Sequence, residues 1–196
     1  MMTVKHLERQ WNAGHYSKLL VELLEARPEA SFEFDSNASQ AARVAALGVI
    51  RLEELDQSHT SLAATLVRTL LSMQEADGGW GDPAMTALCL RALFCSKGAG
   101  GAIDRGLAYL ANLQQPGGIW PLVPLRRMPA DAATSAFIIS QLAPQPRFRM
   151  AVRLDDADAW FDQHRSSIGA DALRAWDRAR ARCGGKHVGR ETMLLS

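Results

Sequence analysis

One seven-residue pattern occurs twice, forty residues apart, and it constrains the fold more than any other feature of the chain. Gln74-Glu-Ala-Asp-Gly78-Gly79-Trp80 recurs as Gln114-Gln-Pro-Gly117-Gly118-Ile-Trp120, with Gln, the second Gly of the later copy and Trp all in register. Each copy closes an apolar pattern of helical period: Leu62, Leu66, Leu70 and Met73 before the first, Ile103, Leu107, Leu110 and Leu113 before the second. A fixed period of this length marks a repeat architecture, in which one helical unit stacks on the next. A fainter third outer helix aligns Ile103–Leu110 with 154–161, placing Tyr109 over Trp160 and Leu110 over Phe161. Its glutamine position is Arg165 and no Gly-Gly-Trp follows, so the array fades there.

A helix of a second kind follows each complete turn. The segments 84–94 and 132–142 are apolar nearly all round, and 40–52 fits the same role upstream. Helices of that composition are buried, whereas the ones before the turns carry a polar face. Buried and half-exposed helices alternating at a fixed period predict two layers, an all-α fold without strands. The expected layout is one domain over 1–183, with N-terminal amphipathic helices in 1–36, repeats in 37–165 and a charged capping helix in 166–183. Residues 184–196, with their glycines, read as a loose tail. The turns have legible chemistry. Gly78 and Gly118 supply a left-handed conformation at a helix end. Asp82-Pro83 offers an N-cap acceptor and a first-turn proline. The glutamine amide reaches turn backbone that would lack partners, and the tryptophan covers the joint.

Composition excludes several classes. With 22 Lys+Arg against 21 Asp+Glu in 196 residues, a formal net charge of +1 gives no field to recruit nucleic acid. No run approaches eighteen uninterrupted apolar residues, so no membrane span is expected. Cys89, Cys95 and Cys183 form no paired framework, and no signal-peptide core opens the chain; both point to a cytoplasmic protein.

The repeated Gln…Gly-Gly-Trp and the inner helices with Thr86-Ala87-Leu88 and Thr134-Ser135-Ala136 resemble the QW repeats of squalene-hopene and oxidosqualene cyclases. The inner helices are also similar to those of protein prenyltransferase β-subunits. The resemblance covers roughly residues 37 to 165 and implies an α/α toroid. At this period a six-hairpin ring needs about 240 residues, so the expected ring is incomplete. The resemblance does not bring an active site with it. The family's class II members place Asp-x-Asp-Asp-Thr at the head of an inner helix, where a carboxylic acid protonates an alkene or epoxide. Anchored on Thr134, the matching Ala130-Asp131-Ala132-Ala133-Thr134 has alanine at both middle acids and Asp131 on the variable position. Protonating an alkene needs a strong, preorganised acid that alanine cannot supply. The zinc set of the prenyltransferases lacks even its Asp-x-Cys pair, and no metal or cofactor is expected.

Candidate acids are therefore Asp35, Asp82 and Asp131. Asp35 and Asp82 precede a small hydroxyl residue, Ser39 and Thr86, by four positions, the spacing of helix caps. A capped carboxylate accepts backbone N–H bonds and is held ionised, the wrong state for a general acid. Met85, Cys89 and Phe137 on the inner helices are the candidates for contact with an apolar ligand; buried cysteines are mostly inert small hydrophobes. Arg126-Arg127 lies in an insertion, 121–128, that lengthens the second turn, and is the candidate for partner recognition. Cys183 and His187 are two ligands at most, too few for zinc. The leading functional expectation is a non-catalytic accessory protein binding an apolar, isoprenoid-type small molecule on a concave face or a protein at its rim. The alternatives are a cyclase- or prenyltransferase-like enzyme, its acid coming from those aspartates or a second subunit, and a structural self-assembling subunit. An open array leaves apolar ends, so a homodimer or a partner covering one end is expected.

Overall fold

The computed structural model describes residues 3–27, 40–96, 98–125 and 128–182. Among them are ten α-helices and no strand: α1 Val4–Asn12, α2 Tyr16–Ala26, α3 Gln40–Glu54, α4 Ser61–Ser72, α5 Pro83–Phe94, α6 Gly100–Leu113, α7 Ala132–Leu142, α8 Pro146–Ala151, α9 Leu154–Gln163 and α10 Ala170–Arg182. One isolated bridge pairs Pro121 with Ala130.

The buried helices form a row. α3 packs on α5, α5 on α7 and α7 on α10, each neighbour coming two or three helices later in the chain. α5 and α7 bury nearly every residue, which matches their unbroken apolar composition. The outer helices bury one stripe each: Leu62, Ala63, Leu66 and Leu70 on α4, Ile103, Leu107 and Leu110 on α6, Ala157 and Phe161 on α9. α10 occupies the fourth place in the row but is built differently. Among its described side chains Ala172, Trp176 and Ala179 are buried, one face at helical spacing, while Asp171, Arg174, Asp177 and Arg178 are exposed. Trp176 stacks on Phe161 at 4.3 Å between centroids and 4° between planes, and Arg180 reaches Asp158 and Asp162, so α9 and α10 lock together. The row thus meets solvent with a polar flank at that end.

The two repeated turns have one construction. In the first, Glu75 N–H donates to Gly79 O at 2.9 Å and Gly78 N–H to Glu75 O at 3.0 Å; in the second, Gln115 N–H donates to Ile119 O at 2.9 Å and Gly118 N–H to Gln115 O at 2.8 Å. Gly78 and Gly118 have φ of +93° and +76°. They lie inside these small loops, not at the helix end as expected: α4 is closed by Met73 in a right-handed conformation and α6 by an extended Gln114. The following outer helix presses on both glycines. A side chain at Gly78 would overlap the Arg105 carbonyl, and one at Gly118 the backbone of Asp156 and Ala157.

Gly81 also has positive φ, +90°, but open space around it. Gly81→Ala is therefore expected to cost only the backbone term, about 1–2 kcal/mol, and Gly118→Ala distinctly more, because the clash is with backbone that cannot rotate away. Denaturant unfolding of the two variants side by side checks this; equal losses would mean that α9 does not bear on the turn.

Candidate functional site

Two of the residues that the sequence marks for chemistry, Asp82 and Asp131, stand at the heads of inner helices. Asp82 caps α5 by accepting Met85 N–H at 2.7 Å, and Pro83 takes the first helical position, where a missing N–H costs nothing. Asp131 caps α7 by accepting Thr134 N–H at 2.6 Å. Above each cap sits a tryptophan. Trp80 donates its indole N–H to Leu70 O at 2.7 Å and Trp120 to Leu110 O at 2.8 Å, tying the turn to the outer helix before it. Their backbone N–H groups donate to hydroxyls of the inner helices: Trp80 to Thr86 Oγ1 at 3.0 Å, Trp120 to Ser135 Oγ at 2.8 Å.

That last pair corrects the register read from the sequence. Thr86 was matched with Thr134, which put Asp131 one position out of line. The residue that does the work of Thr86 is Ser135. Asp82 and Asp131 each stand four residues before the anchoring hydroxyl and are equivalent caps. Adjacent hydroxyls at 134 and 135 make the two registers indistinguishable by residue type; only the hydrogen bond from Trp120 separates them. The Thr134 hydroxyl is fully buried and has no hydrogen-bond partner among the described residues.

The electrostatics around α5 follow from burial. Desolvation pulls the Arg43 guanidinium below its ordinary value, and the nearby Asp82 carboxylate draws it part of the way back. The Cys89 thiol is pushed well up, first by complete burial and then by Asp82, so it is no nucleophile. Tyr109 is raised by burial and by the carboxylates of Asp77, Asp82 and Glu75; it stays protonated and donates to Gly81 O at 2.8 Å.

The candidates for ligand contact are not on an open face. Met85 and Cys89 are 0% exposed and Phe137 is 4% exposed, all three within the apolar core. Asp35 and the pair Arg126-Arg127 lie outside the described residues, as do Cys183 and His187. The described part of the 121–128 insertion projects from a narrow base. The Pro121–Ala130 bridge, Asp131 N–H to Trp120 O at 2.8 Å and Gln115 Nε2 to Met128 O at 2.6 Å hold it, while Leu122, Leu125 and Met128 remain exposed. Among the described residues no group of three or more His, Cys, Asp or Glu could hold a metal ion. No helix there is long and apolar enough to cross a membrane.

A drimenyl diphosphate synthase from Streptomyces showdoensis is 37% identical to this chain over 106 residues. The stretch takes in 47% of this chain and 20% of that protein, so the chain spans about a fifth of its relative's length. No protein-family model matches the chain, and no solved structure matches it.

Two variants test the anchoring role of the hydroxyls. Thr86→Val and Ser135→Ala each leave a buried tryptophan N–H without an acceptor, which is expected to cost about 1–3 kcal/mol; Thr134→Val, at a hydroxyl with no partner, should be neutral or stabilising. A loss at Thr134→Val that matched Ser135→Ala in denaturant unfolding would restore the sequence-based register. In the folded protein Cys89 should resist alkylation at pH 8 until denaturant is added, as peptide-mapped labelling would show.

Proposed function

We propose that the chain is a terpene-cyclase-like module that handles an isoprenoid diphosphate, built as part of an α/α toroid with QW-type turns. The observation that carries this is the 37% identity to the drimenyl diphosphate synthase, over a stretch about half this chain in extent. It favours the enzyme-related reading over a purely accessory one. The row of inner helices, with α4 joined to α5 and α6 to α7 by a Gln…Gly…Trp turn, is consistent with an open segment of such a ring.

The corrected register changes what can be said of the acid. Anchored on Ser135, the class II pattern puts Asp131 on its first carboxylate position, with Ala133 and Thr134 on the two positions after the variable one. Asp131 spends one oxygen on Thr134 N–H, and Asp82 spends one on Met85 N–H. Both point lone pairs at helix ends, so the proton donor that cyclisation needs comes from elsewhere: a second subunit or a segment outside the described residues. This chain would then supply the apolar scaffold that shapes the substrate, with binding energy rather than acid as its contribution.

A second reading, a non-catalytic accessory protein, draws support from the burial of Met85, Cys89 and Phe137, which leaves no inner-helix side chain among these three open to a substrate.

Farnesyl diphosphate, as a fifteen-carbon probe, tests for isoprenoid handling. Under the cyclase-like reading it should raise the melting temperature, by an amount equivalent to about 2.7 kcal/mol at a hundred times its Kd, while inorganic diphosphate should not. The chain alone, with or without magnesium, should release no cyclised product detectable by mass spectrometry. Absence of stabilisation by farnesyl or geranylgeranyl diphosphate would rule out isoprenoid handling and leave a protein-binding accessory role or a structural subunit. Turnover abolished by Asp131→Asn but not by Asp82→Asn would return the acid to this chain.

A further inference from the structure

A groove of about 760 Å³ runs along α4 and the loop before it, against Val49 of α3 and Cys95 and Ser96 just past the end of α5. Val49, Ala63, Val67 and Leu71 form its apolar side; His59 and Arg68 are its charged or titratable side chains apart from Cys95, and none of its lining residues is a carboxylate. The next repeat shows what such a surface accommodates. A shift of forty residues carries Ala63, Ala64 and Val67 onto Ile103, Asp104 and Leu107 of α6. There the corresponding face is covered by α8, which packs on α6, pairs Arg147 with Asp104 and buries Phe148 completely. Phe148 lies 6.3 Å from Trp120, ring centroid to ring centroid.

The difference lies in the connections. From α7 to α9 the chain takes residues 143–153, which include α8; from α5 to α6 it takes only 95–99. Five residues cannot form a helix and still join the two layers. Burial follows suit: Leu107 is 5% exposed, whereas Val67 is half-buried and Leu71 is 37% exposed.

We infer that the α4 groove is a docking site for a short helical segment of a partner protein, with one aromatic side chain inserted as Phe148 is and a carboxylate facing Arg68. The sign of the charge follows from the repeat. On α6 the resident helix carries the arginine because the surface carries Asp104; on α4 that position is Ala64, and one turn further on Arg68 stands where α6 has Ala108. An apolar anchor with a flanking ion pair is the usual way an amphipathic helix seats in a groove. This inference does not depend on the cyclase-like reading and survives its failure.

The test titrates the isotope-labelled full chain with a capped, helix-stapled peptide carrying Pro-Glu-Phe-Glu-Met-Ala. Saturable amide shifts are expected at Ala64, Val67, Leu71 and Ser96. Replacing the peptide's Phe by Ala should weaken binding at least tenfold, and replacing both Glu by Arg at least threefold. Arg68→Glu in the protein should reverse the preference between the acidic and basic peptides, and Ala64→Arg should abolish both. If Ala64→Arg alters folding, the exposed Arg68→Glu variant alone decides the matter. No saturable shift at millimolar peptide, shifts confined to another surface, a charge preference unmoved by Arg68→Glu, or a groove filled by farnesol but not by peptide would each overturn the inference.

Discussion

The architecture hangs on a pair of side-chain amides. Gln74 Nε2 donates at once to Gly78 O at 2.9 Å, within its own turn, and to Ala102 O at 2.9 Å, on the next outer helix; Gln114 repeats this with Gly118 O at 2.8 Å and Arg153 O at 3.2 Å. One planar group thereby fixes both the shape of the turn and its distance from the following repeat. The amide oxygen completes the clamp, receiving Arg105 at Gln74 and the Arg153 N–H at Gln114, the latter at 2.9 Å. No aliphatic side chain can do this. It would leave the turn carbonyl of Gly78 or Gly118 without its amide donor at a half-buried joint, where the desolvation of polar groups is costly. The tryptophans then close the same joint from the inner side, with little freedom left for either.

Much of this was legible in the residues. The forty-residue register located both turns, and the bounds of α7 and α10 follow from composition alone. The capping roles of Asp82 and Asp131 follow from their positions just before apolar helices. Other features were hidden for physical reasons. α8 is six residues long, too short for helical periodicity to emerge, and its one apolar anchor, Phe148, has no partner in sequence. The choice between Thr134 and Ser135 rested on a backbone hydrogen bond across fifteen residues of chain. The burial of Met85 and Cys89 could not be distinguished in advance from exposure on a concave surface, since an apolar helix suits either environment.

The functional picture is divided in the same way. The inner helices α5 and α7 contribute packing and two engaged carboxylates, while among the described residues the groove beside α4 and the insertion's Leu122, Leu125 and Met128 are open.

The narrow base of the 121–128 insertion has a consequence for how such a chain can diversify. The Pro121–Ala130 bridge and the bond from Asp131 N–H to Trp120 O bring the ends of the excursion together before α7 begins. The geometry that α7 receives is therefore set at the bridge and is indifferent to what lies beyond it. Closing a longer loop costs little, only about 0.6 kcal/mol for each doubling of its length. New sequence, even a small inserted domain, can enter at this point while the helical layers keep their spacing.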